Sequence, residues 1–222
     1  MVGTGMGDFE RMLKDIQAEV DYTRQRIGRD RLDERVMAAM RKVPRHAFVN
    51  EDMQPLAYNN GPLPIGHGQT ISQPYIVALM TDLARLTPAS RVLEVGTGSG
   101  YQAAVLAELV AEVYTIEIIP ALARRAAERL AGLGYDNVHA REGDGYHGWP
   151  EHAPYDAVLV TAAAPEVPQP LIDQLKPEGR LVIPVGRADY GQDLLLLEKD
   201  AEGRLHTTDV LPVVFVPLTR AH

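Results

Sequence analysis

The sequence contains no cysteine and has a deficit of basic charge. Without cysteine the chain can form no disulfide, no thiolate metal site and no cysteine nucleophile. Lys and Arg number 22 against 30 Asp and Glu, which gives a net charge of −8. A protein that binds long nucleic acids usually presents an excess of basic charge to the phosphates. The acidic balance therefore argues against a nucleic-acid partner.

Long apolar runs are also missing. No stretch approaches the roughly 18 to 20 uncharged apolar residues that a membrane-spanning helix needs, so we expect no membrane partner. The first eight residues are rich in glycine and lack the apolar core of a signal peptide. We therefore expect a cytoplasmic protein. The 222 residues suffice for one well-packed domain, residues 1–222, and we expect a monomer.

Residues 1–50 have the spacing of amphipathic helices. Apolar residues recur on one helical face between positions 9 and 27, and a second pattern runs from the capping residue Asp30 to Pro44. We expect these helices to pack on a sheet. Residues 51–73 show no clear period and are rich in Pro and Gly, which predicts a loop. A loop of about twenty residues is uncommon in a compact domain unless it is functional, so we expect it to carry part of the active site.

A strand and helix alternation occupies residues 74–190. Short, almost uninterrupted apolar segments separated by helical patterns are typical of a parallel sheet with helices on both faces. The strands are predicted at 91–95, 113–118, 138–141, 155–160 and 180–185. The helices are predicted at 74–86, 101–109, 120–133 and 168–175. Residues 191–222 are predicted to add antiparallel strands, at 194–198 and 205–216.

These patterns together predict an α/β fold. Its main part would be a Rossmann-like, mostly parallel sheet with helices on both faces, formed by residues 74–190. A helical extension would precede the sheet and antiparallel strands would follow it. In this class of fold, ligands bind beyond the carboxyl ends of the strands, so the residues that follow the predicted strands are the first candidates for a site.

The strongest local motif follows the first predicted strand. In Glu-Val-Gly-Thr-Gly-Ser-Gly-Tyr, three glycines, Gly96, Gly98 and Gly100, let the backbone approach a ligand at a helix N-terminus. The dinucleotide fingerprint Gly-x-Gly-x-x-Gly needs a glycine where Tyr101 stands, which disfavours an NAD-dependent oxidoreductase. Glu94 would repel a pyrophosphate and suits a ligand with an ammonium group, such as the methionine part of S-adenosylmethionine.

Two further acidic residues follow the next predicted strands. Glu117 lies 21 residues after Gly96, where a carboxylate can accept both hydrogen bonds of a ribose diol. Asp144, in Gly-Asp-Gly, can accept the exocyclic amine of adenine, although this tripeptide is also a turn signal. Three acidic groups at successive strand ends match a cationic sulfonium nucleoside. We therefore predict S-adenosylmethionine as the cofactor, and no metal.

The segment before the first helix of the alternation is the most specific feature. Residues 66–74 read Gly-His-Gly-Gln-Thr-Ile-Ser-Gln-Pro and closely resemble the signature segment of protein-L-isoaspartate O-methyltransferases, the bacterial type in particular. The resemblance covers roughly residues 35–220. Its other family-like segments are Pro-Arg-His-Ala-Phe-Val at 44–49, Thr-Ala-Ala-Ala-Pro at 161–165 and Phe-Val-Pro-Leu-Thr at 215–219.

The resemblance implies a repair enzyme. The family transfers a methyl group from S-adenosylmethionine to the free α-carboxylate of L-isoaspartyl residues in damaged proteins and peptides, with S-adenosylhomocysteine as the other product. The ester then cyclises to a succinimide, and hydrolysis returns some normal aspartate.

The same resemblance implies the site residues. Ser72 would be the catalytic residue. The cofactor would be bound by Thr70, Ile71, Glu94, Gly96, Gly98, Gly100, Glu117, Asp144, Gly145 and Thr219. The peptide would be bound by Ser72, Ala162, Ala163, Ala164, Val214, Phe215 and Val216.

A carboxylate acceptor needs little chemical help. Its pKa is near 4, so it is already an anion at neutral pH and needs no general base. What remains is to align oxygen, methyl carbon and sulfur. Ser72 would hydrogen-bond one carboxylate oxygen, or cap the helix that starts near Pro74, and the two roles are compatible. An extended peptide would add alongside residues 213–216.

Two other functions stay open at this point. The first is a methyltransferase that uses the same cofactor on a small molecule or RNA, which leaves residues 66–74 unexplained. The second is a protein that binds the cofactor or damaged peptides without transferring methyl groups, which the intact Ser72, Glu117 and Asp144 disfavour.

Overall fold

The computed structural model describes residues 6–187 and 189–220. The helices are α1 (Met6–Ile27), α2 (Glu34–Lys42), α3 (Pro74–Leu83), α4 (Tyr101–Ala107), α5 (Pro120–Gly132) and α6 (Gln169–Asp173). The strands are β1 (Leu63–Gly66), β2 (Gln69–Ile71), β3 (Arg91–Val95), β4 (Glu112–Glu117), β5 (Val138–Glu142), β6 (Tyr155–Val160), β7 (Leu175–Arg187), β8 (Gly191–Lys199) and β9 (Leu205–Val213). Short 3₁₀ helices lie at Arg45–Phe48, Glu51–Leu56, Gly145–His147 and Pro150–His152.

Seven strands form one sheet in the spatial order β5-β4-β3-β6-β7-β8-β9. The first five of these pair in parallel, whereas β8 and β9 add antiparallel. The strand order reverses at β3, because β4 and β6 pair on its two sides. Ligands bind at such a switch point, beyond the carboxyl ends of the strands. The predicted α/β fold, with its mostly parallel sheet and antiparallel end, is confirmed.

The central strands have continuous apolar sequences because both faces of the sheet are buried. In β3, the side chains of Val92, Leu93 and Val95 are all 1% exposed or less, although they alternate between the two faces of the sheet. Helix α1 packs on α3 and contacts β9, whereas α2 packs mainly on α3, α1 and α4, so the N-terminal helices cover the sheet largely through other helices. No helix in the described part of the chain has the length and apolar character that crossing a bilayer requires.

Several local predictions need correction. Strand β7 begins at Leu175 rather than at residue 180, and β9 ends at Val213 rather than at residue 216. Residues 51–73 are more ordered than a plain loop, because they contain the hairpin of β1 and β2, in which Leu63 pairs with Ile71. These strands are only four and three residues long, too short for a periodic pattern. The cap of α2 is Asp33, not Asp30, and its side chain accepts the amide of Arg35 at 2.7 Å. Helix α3 ends at Leu83 rather than at residue 86, because Arg85 has a φ of +48°.

A buried cation connects the segment before the sheet to the rest of the protein. Arg45 is completely buried. Its Nε donates to the carbonyl of Ala57 at 2.8 Å and its Nη2 to the carbonyl of Ser72 at 2.7 Å. The guanidinium also lies over the ring of Tyr101, 4.8 Å from the centroid. Burial lowers the pKa of Arg45. One side chain therefore holds a 3₁₀ turn, the loop before α3 and the start of α4 together.

We expect Arg45→Met to lower the free energy of unfolding by about 2–4 kcal/mol, because two enclosed carbonyls lose a charged donor. Urea unfolding of the purified variant measures this. Arg41→Met is the matched control, since Arg41 is exposed, and a surface substitution should change stability by less than about 0.5 kcal/mol. Equal effects of the two substitutions would show that the buried contacts of Arg45 add no more to the free energy of unfolding than an exposed arginine does.

Candidate functional site

A cleft opens where β3, β4 and β6 end. It brings together three segments that are far apart in the sequence: the hairpin region before α3, the glycine loop and the C-terminal tail. Eleven of the predicted site residues line it: Thr70, Ile71, Ser72, Glu94, Gly96, Gly98, Glu117, Gly145, Ala162, Val216 and Thr219. The sheet topology therefore assembles most of the residues that the sequence singled out.

The glycine loop turns the chain sharply between β3 and α4. The amides of Gly96 and Thr97 both donate to the carbonyl of Ile116 in β4, at 2.8 and 3.2 Å. Gly96 has a φ of +94°, and a Cβ at this position would lie 2.6 Å from Oγ1 of Thr161. That hydroxyl donates to the Gly96 carbonyl at 2.5 Å. Only glycine fits here, because both the backbone conformation and the neighbouring hydroxyl exclude a side chain.

Glu117 is held in place by two backbone amides. The amide of Gly98 donates to its Oε2 at 2.8 Å, and the amide of Ile119 donates to its Oε1 at 3.0 Å. The residue is 6% exposed and lines the cleft. Each carboxylate oxygen can accept more than one hydrogen bond. Glu117 is thus oriented by the backbone and keeps the capacity to accept a diol.

Glu94 is a completely buried acid at the bottom of the cleft. Its Oε2 accepts a hydrogen bond from Oγ1 of Thr115 at 2.6 Å, and Thr97 lies 2.6 Å from the same hydroxyl. Its Oε1 has no hydrogen-bond partner within the described residues. Burial raises the pKa of Glu94 to about 8, and the negative charge of Glu117 adds to the effect, against the hydrogen bond from Thr115. An unpaired acid of this kind fits a cationic ligand.

Ser72 is half-buried and positioned through its backbone. Its carbonyl accepts the hydrogen bond from Arg45 described above. Its hydroxyl makes no hydrogen bond to any residue that the structure describes. The N-cap position of α3 belongs to Gln73, so the alternative interpretation of Ser72 as the helix cap is wrong. The hydroxyl is therefore available to a ligand.

A second, wider cleft adjoins the first and has a free volume of about 630 Å³. Four residues line both clefts: Thr70, Ser72, Thr161 and Val216. Val214 and Phe215, predicted for the peptide site, line the second cleft. The backbone of Phe215 is fixed by Gln192, whose Oε1 accepts its amide at 2.6 Å and whose Nε2 donates to its carbonyl at 3.0 Å. Ser72 thus stands where a narrow cleft and an open one meet.

Two of the predicted cofactor residues, Gly100 and Asp144, do not line either cleft of the described chain. Gly100 has a φ of +90° at the start of α4, and a Cβ there would lie 3.3 Å from the side chain of Leu130. Asp144 caps the 3₁₀ turn that follows β5, with its Oδ1 accepting the amide of Tyr146 at 2.9 Å. Their roles in cofactor binding stay predictions.

Two of the predicted peptide residues, Ala163 and Ala164, also lie outside both clefts of the described chain. The amide of Ala163 donates to the carbonyl of Val216, and its carbonyl accepts the amide of Leu218, both at 2.8 Å. The amide of Ala164 donates to the carbonyl of Pro184 at 3.1 Å. In this structure Ala163 holds the C-terminal tail in place and Ala164 is bonded to β7, and a direct contact of either residue with the peptide stays a prediction.

Reasoning from sequence missed four residues that shape the site: Arg45, Thr115, Thr161 and Gln192. Arg45 and Thr161 lie in segments that carry the family resemblance, which was the one available signal for them. Thr115 and Gln192 lie inside strands and follow no motif. Among the described residues, no group of three or more His, Asp or Glu side chains is placed to hold a metal ion.

The comparisons with known sequences agree on one family. The family model for protein-L-isoaspartate(D-aspartate) O-methyltransferase (PCMT) matches residues 22–222. Protein-L-isoaspartate O-methyltransferase 2 of Polaromonas sp. strain JS666 is 65% identical, over 94% of this chain and 99% of that protein. Protein-L-isoaspartate O-methyltransferase 2 of Syntrophobacter fumaroxidans is 61% identical, over 96% of this chain and 86% of that protein.

Two solved structures share the architecture. One is a protein-L-isoaspartate O-methyltransferase with a TM-score of 0.82 and 27% identity, covering 94% of this chain and 65% of that chain. The other is the PCMT of Plasmodium falciparum in complex with S-adenosyl-L-homocysteine, with a TM-score of 0.74 and 27% identity, covering 94% of this chain and 98% of that chain. With the family model matching nine-tenths of its residues, the chain belongs to the protein-L-isoaspartate(D-aspartate) O-methyltransferase family.

Proposed function

We propose that this protein transfers a methyl group from S-adenosylmethionine to the free α-carboxylate of L-isoaspartyl residues in damaged proteins and peptides. The position of Ser72 carries the proposal, because this residue lies where the narrow cleft meets the open one. Relatives with 57% to 65% identity over nearly the whole chain are named for this activity. The ester then cyclises to a succinimide, which starts the repair.

The narrow cleft fits the cofactor through its acidic groups. When bound, S-adenosylmethionine supplies a methyl group on a positively charged sulfur. The unpaired Oε1 of Glu94 can accept a hydrogen bond from an ammonium group, and Glu117, oriented by two amides, can accept the ribose diol. Thr70, Ile71 and Thr219 complete the walls. The negative charge of Glu94 and the positive charge of the ligand compensate each other, since burying either charge alone would be costly.

The acceptor side of the reaction needs orientation rather than acid–base chemistry. The α-carboxylate is already an anion at neutral pH. The hydroxyl of Ser72 donates a hydrogen bond to one carboxylate oxygen and leaves the other oxygen free to face the methyl group. Arg45 fixes the backbone that carries this hydroxyl. Such positioning can supply on the order of 7–11 kcal/mol of a barrier.

The open cleft favours a polypeptide over the alternative acceptors. Its length along the segment 211–216 and its connection to Ser72 suit an extended chain. A small molecule would leave most of this cleft unused, and no basic patch in it suits RNA, since its charged lining residues among those described are Glu19 and Arg26. A monomeric state and a cytoplasmic location stay predictions.

Two synthetic peptides that differ only in carrying isoaspartate or aspartate test the reaction directly. With methyl-labelled S-adenosylmethionine, we expect base-labile methyl ester on the isoaspartyl peptide alone. The amount of labelled methanol released at alkaline pH is the readout. If neither peptide is labelled although the cofactor binds, the acceptor is a different one.

We expect Ser72→Ala to lower kcat/KM for the isoaspartyl peptide by about ten- to a hundredfold, the usual effect of losing one hydrogen bond to a charged group. Steady-state kinetics measures this loss. The Kd for the cofactor and the melting temperature should hardly change, because the hydroxyl makes no hydrogen bond to the described chain. Ser72→Thr keeps a hydroxyl and should recover part of the activity. Parallel losses of turnover and cofactor affinity would contradict the assigned role.

Cofactor binding should release a proton from Glu94. Below pH 8 this carboxyl is protonated in the free protein, because burial raises its pKa to about 8. A cation beside it favours the ionised form and lowers that pKa, so the proton leaves on binding and affinity increases as the pH rises toward 8.

Calorimetric titration at about pH 6.5, in two buffers of different ionisation enthalpy, measures the number of protons released. The expected values approach one proton per cofactor for the natural protein and zero for Glu94→Gln, which keeps the shape of the side chain without the titrating group. The absence of proton release from the natural protein would mean that Glu94 does not ionise beside the cofactor.

A further inference from the structure

Helix α1 forms one side of the open cleft. Four of its residues line the cleft: Glu19, Tyr22, Thr23 and Arg26. The opposite side is the end of β9 and the segment that follows it, residues 211–216. The motifs of the sequence assign no role to this helix, and the family model begins only at residue 22. The helix is nevertheless part of the cleft that contains Ser72.

The position of α1 is fixed by polar contacts with the segments around Ser72. Oγ1 of Thr23 lies 2.5 Å from the hydroxyl of Tyr75 in α3. Nδ2 of Asn60 donates to Oε1 of Glu19 at 3.1 Å. The helix also buries Ile16 and Val20 completely in the main core. This side of the cleft is therefore a rigid surface.

Two large apolar side chains at the cleft are left in solvent. Val214 is 95% exposed and Tyr22 is 87% exposed, and the two lie on opposite sides of the same cleft. The exposure of Val214 is imposed by an ordered backbone, because Val213 pairs with Gln192 in β8 and the amide of Phe215 donates to the same glutamine. Both side chains line the cleft that contains Ser72, so an apolar group bound there would cover them and remove apolar surface from water.

The magnitudes favour apolar over ionic recognition in this cleft. Arg26 makes no ion pair with the described residues, but an exposed ion pair changes affinity by less than about fivefold. Covering an apolar side chain changes affinity by about tenfold or more. The contact between apolar groups is therefore the stronger determinant of which peptides bind.

We propose that α1 is a specificity-determining wall of the peptide site, with Tyr22 and Val214 holding an apolar side chain adjacent to the isoaspartyl residue. This inference rests on the proposed function, since it takes Ser72 as the point where the isoaspartyl carboxylate binds. The apolar neighbour lies between the helix and the segment 211–216, and its burial covers the two exposed side chains. The protein thereby selects damaged sites by a residue beside the damage as well as by the carboxylate itself.

The test uses isoaspartyl peptides that are identical except for leucine or serine at the position before or after the isoaspartate. Calorimetry in the presence of S-adenosylhomocysteine gives the Kd without turnover, and the methyl transfer assay gives kcat/KM. We expect the natural protein to bind one leucine peptide about tenfold more tightly than its serine counterpart. Tyr22→Ser should reduce this preference to less than about threefold.

Tyr190→Ser is the matched control. Tyr190 is also an exposed tyrosine, at 83%, but it does not line the open cleft as the described residues form it. This variant should keep the tenfold preference. Both tyrosines are on the surface, so the melting temperatures of the two variants should equal that of the natural protein. Val214→Ser is a second variant from the opposite side of the cleft and should lose the preference as Tyr22→Ser does.

The outcomes separate this inference from the proposed function. Equal Kd values for the leucine and serine peptides, or the same loss of preference in Tyr190→Ser, would overturn the role of α1 even if both peptides are methylated. If the leucine peptide binds more tightly through Tyr22 but no methyl ester forms, the result supports the role of α1 and refutes the proposed reaction. If no peptide binds and no methyl ester forms, both the role of α1 and the proposed reaction are overturned.

Discussion

The attachment of the glycine loop to the two strands beside β3 is the interaction on which the site depends. The loop amides bind the carbonyl of Ile116 and the carboxylate of Glu117, and the hydroxyl of Thr161 binds the carbonyl of Gly96. These bonds connect the ends of β3, β4 and β6 at the point where the strand order reverses. Because the loop has no room for a side chain at Gly96, the backbone itself lines the narrow cleft at this point.

The segment with Ser72 depends on a different interaction, the burial of Arg45. A guanidinium without a carboxylate partner is costly to bury, and this one is stabilised by three carbonyls and an aromatic ring. Because the buried guanidinium needs these acceptors, it holds the backbone around them in place. The carbonyl of Ser72 is fixed from inside the protein while its hydroxyl points to no protein partner in the described chain. An orienting hydrogen bond can thus be offered to a substrate without rearrangement.

The two clefts differ in the charge of the reactant that each one suits. The narrow cleft is acidic and suits a cation, with Glu94 unpaired and Glu117 oriented. In the proposed reaction the acceptor is an anion, and it would approach from the open cleft, where Ser72 lies beside the N-terminus of α3. The positive end of that helix favours an anion by about 0.3–1 kcal/mol. In the proposed reaction, opposite charges on the two reactants would therefore be bound on separate surfaces that meet at Ser72 and three other shared residues, and no acid–base pair would be needed.

The sequence by itself determined the parallel sheet, because strands buried on both faces need continuous apolar segments. It also indicated the class of cofactor, because the spacing of Gly96, Gly98 and Gly100 disfavours a dinucleotide loop and acidic residues follow three successive strands. The tertiary structure alone decided the burial of Arg45 and the place of α1 beside the segment 211–216. Periodicity describes only neighbours along the chain. Arg45 binds carbonyls that are 12 and 27 residues away, and α1 lies beside a segment from the opposite end of the sequence. Only packing in three dimensions brings these partners together.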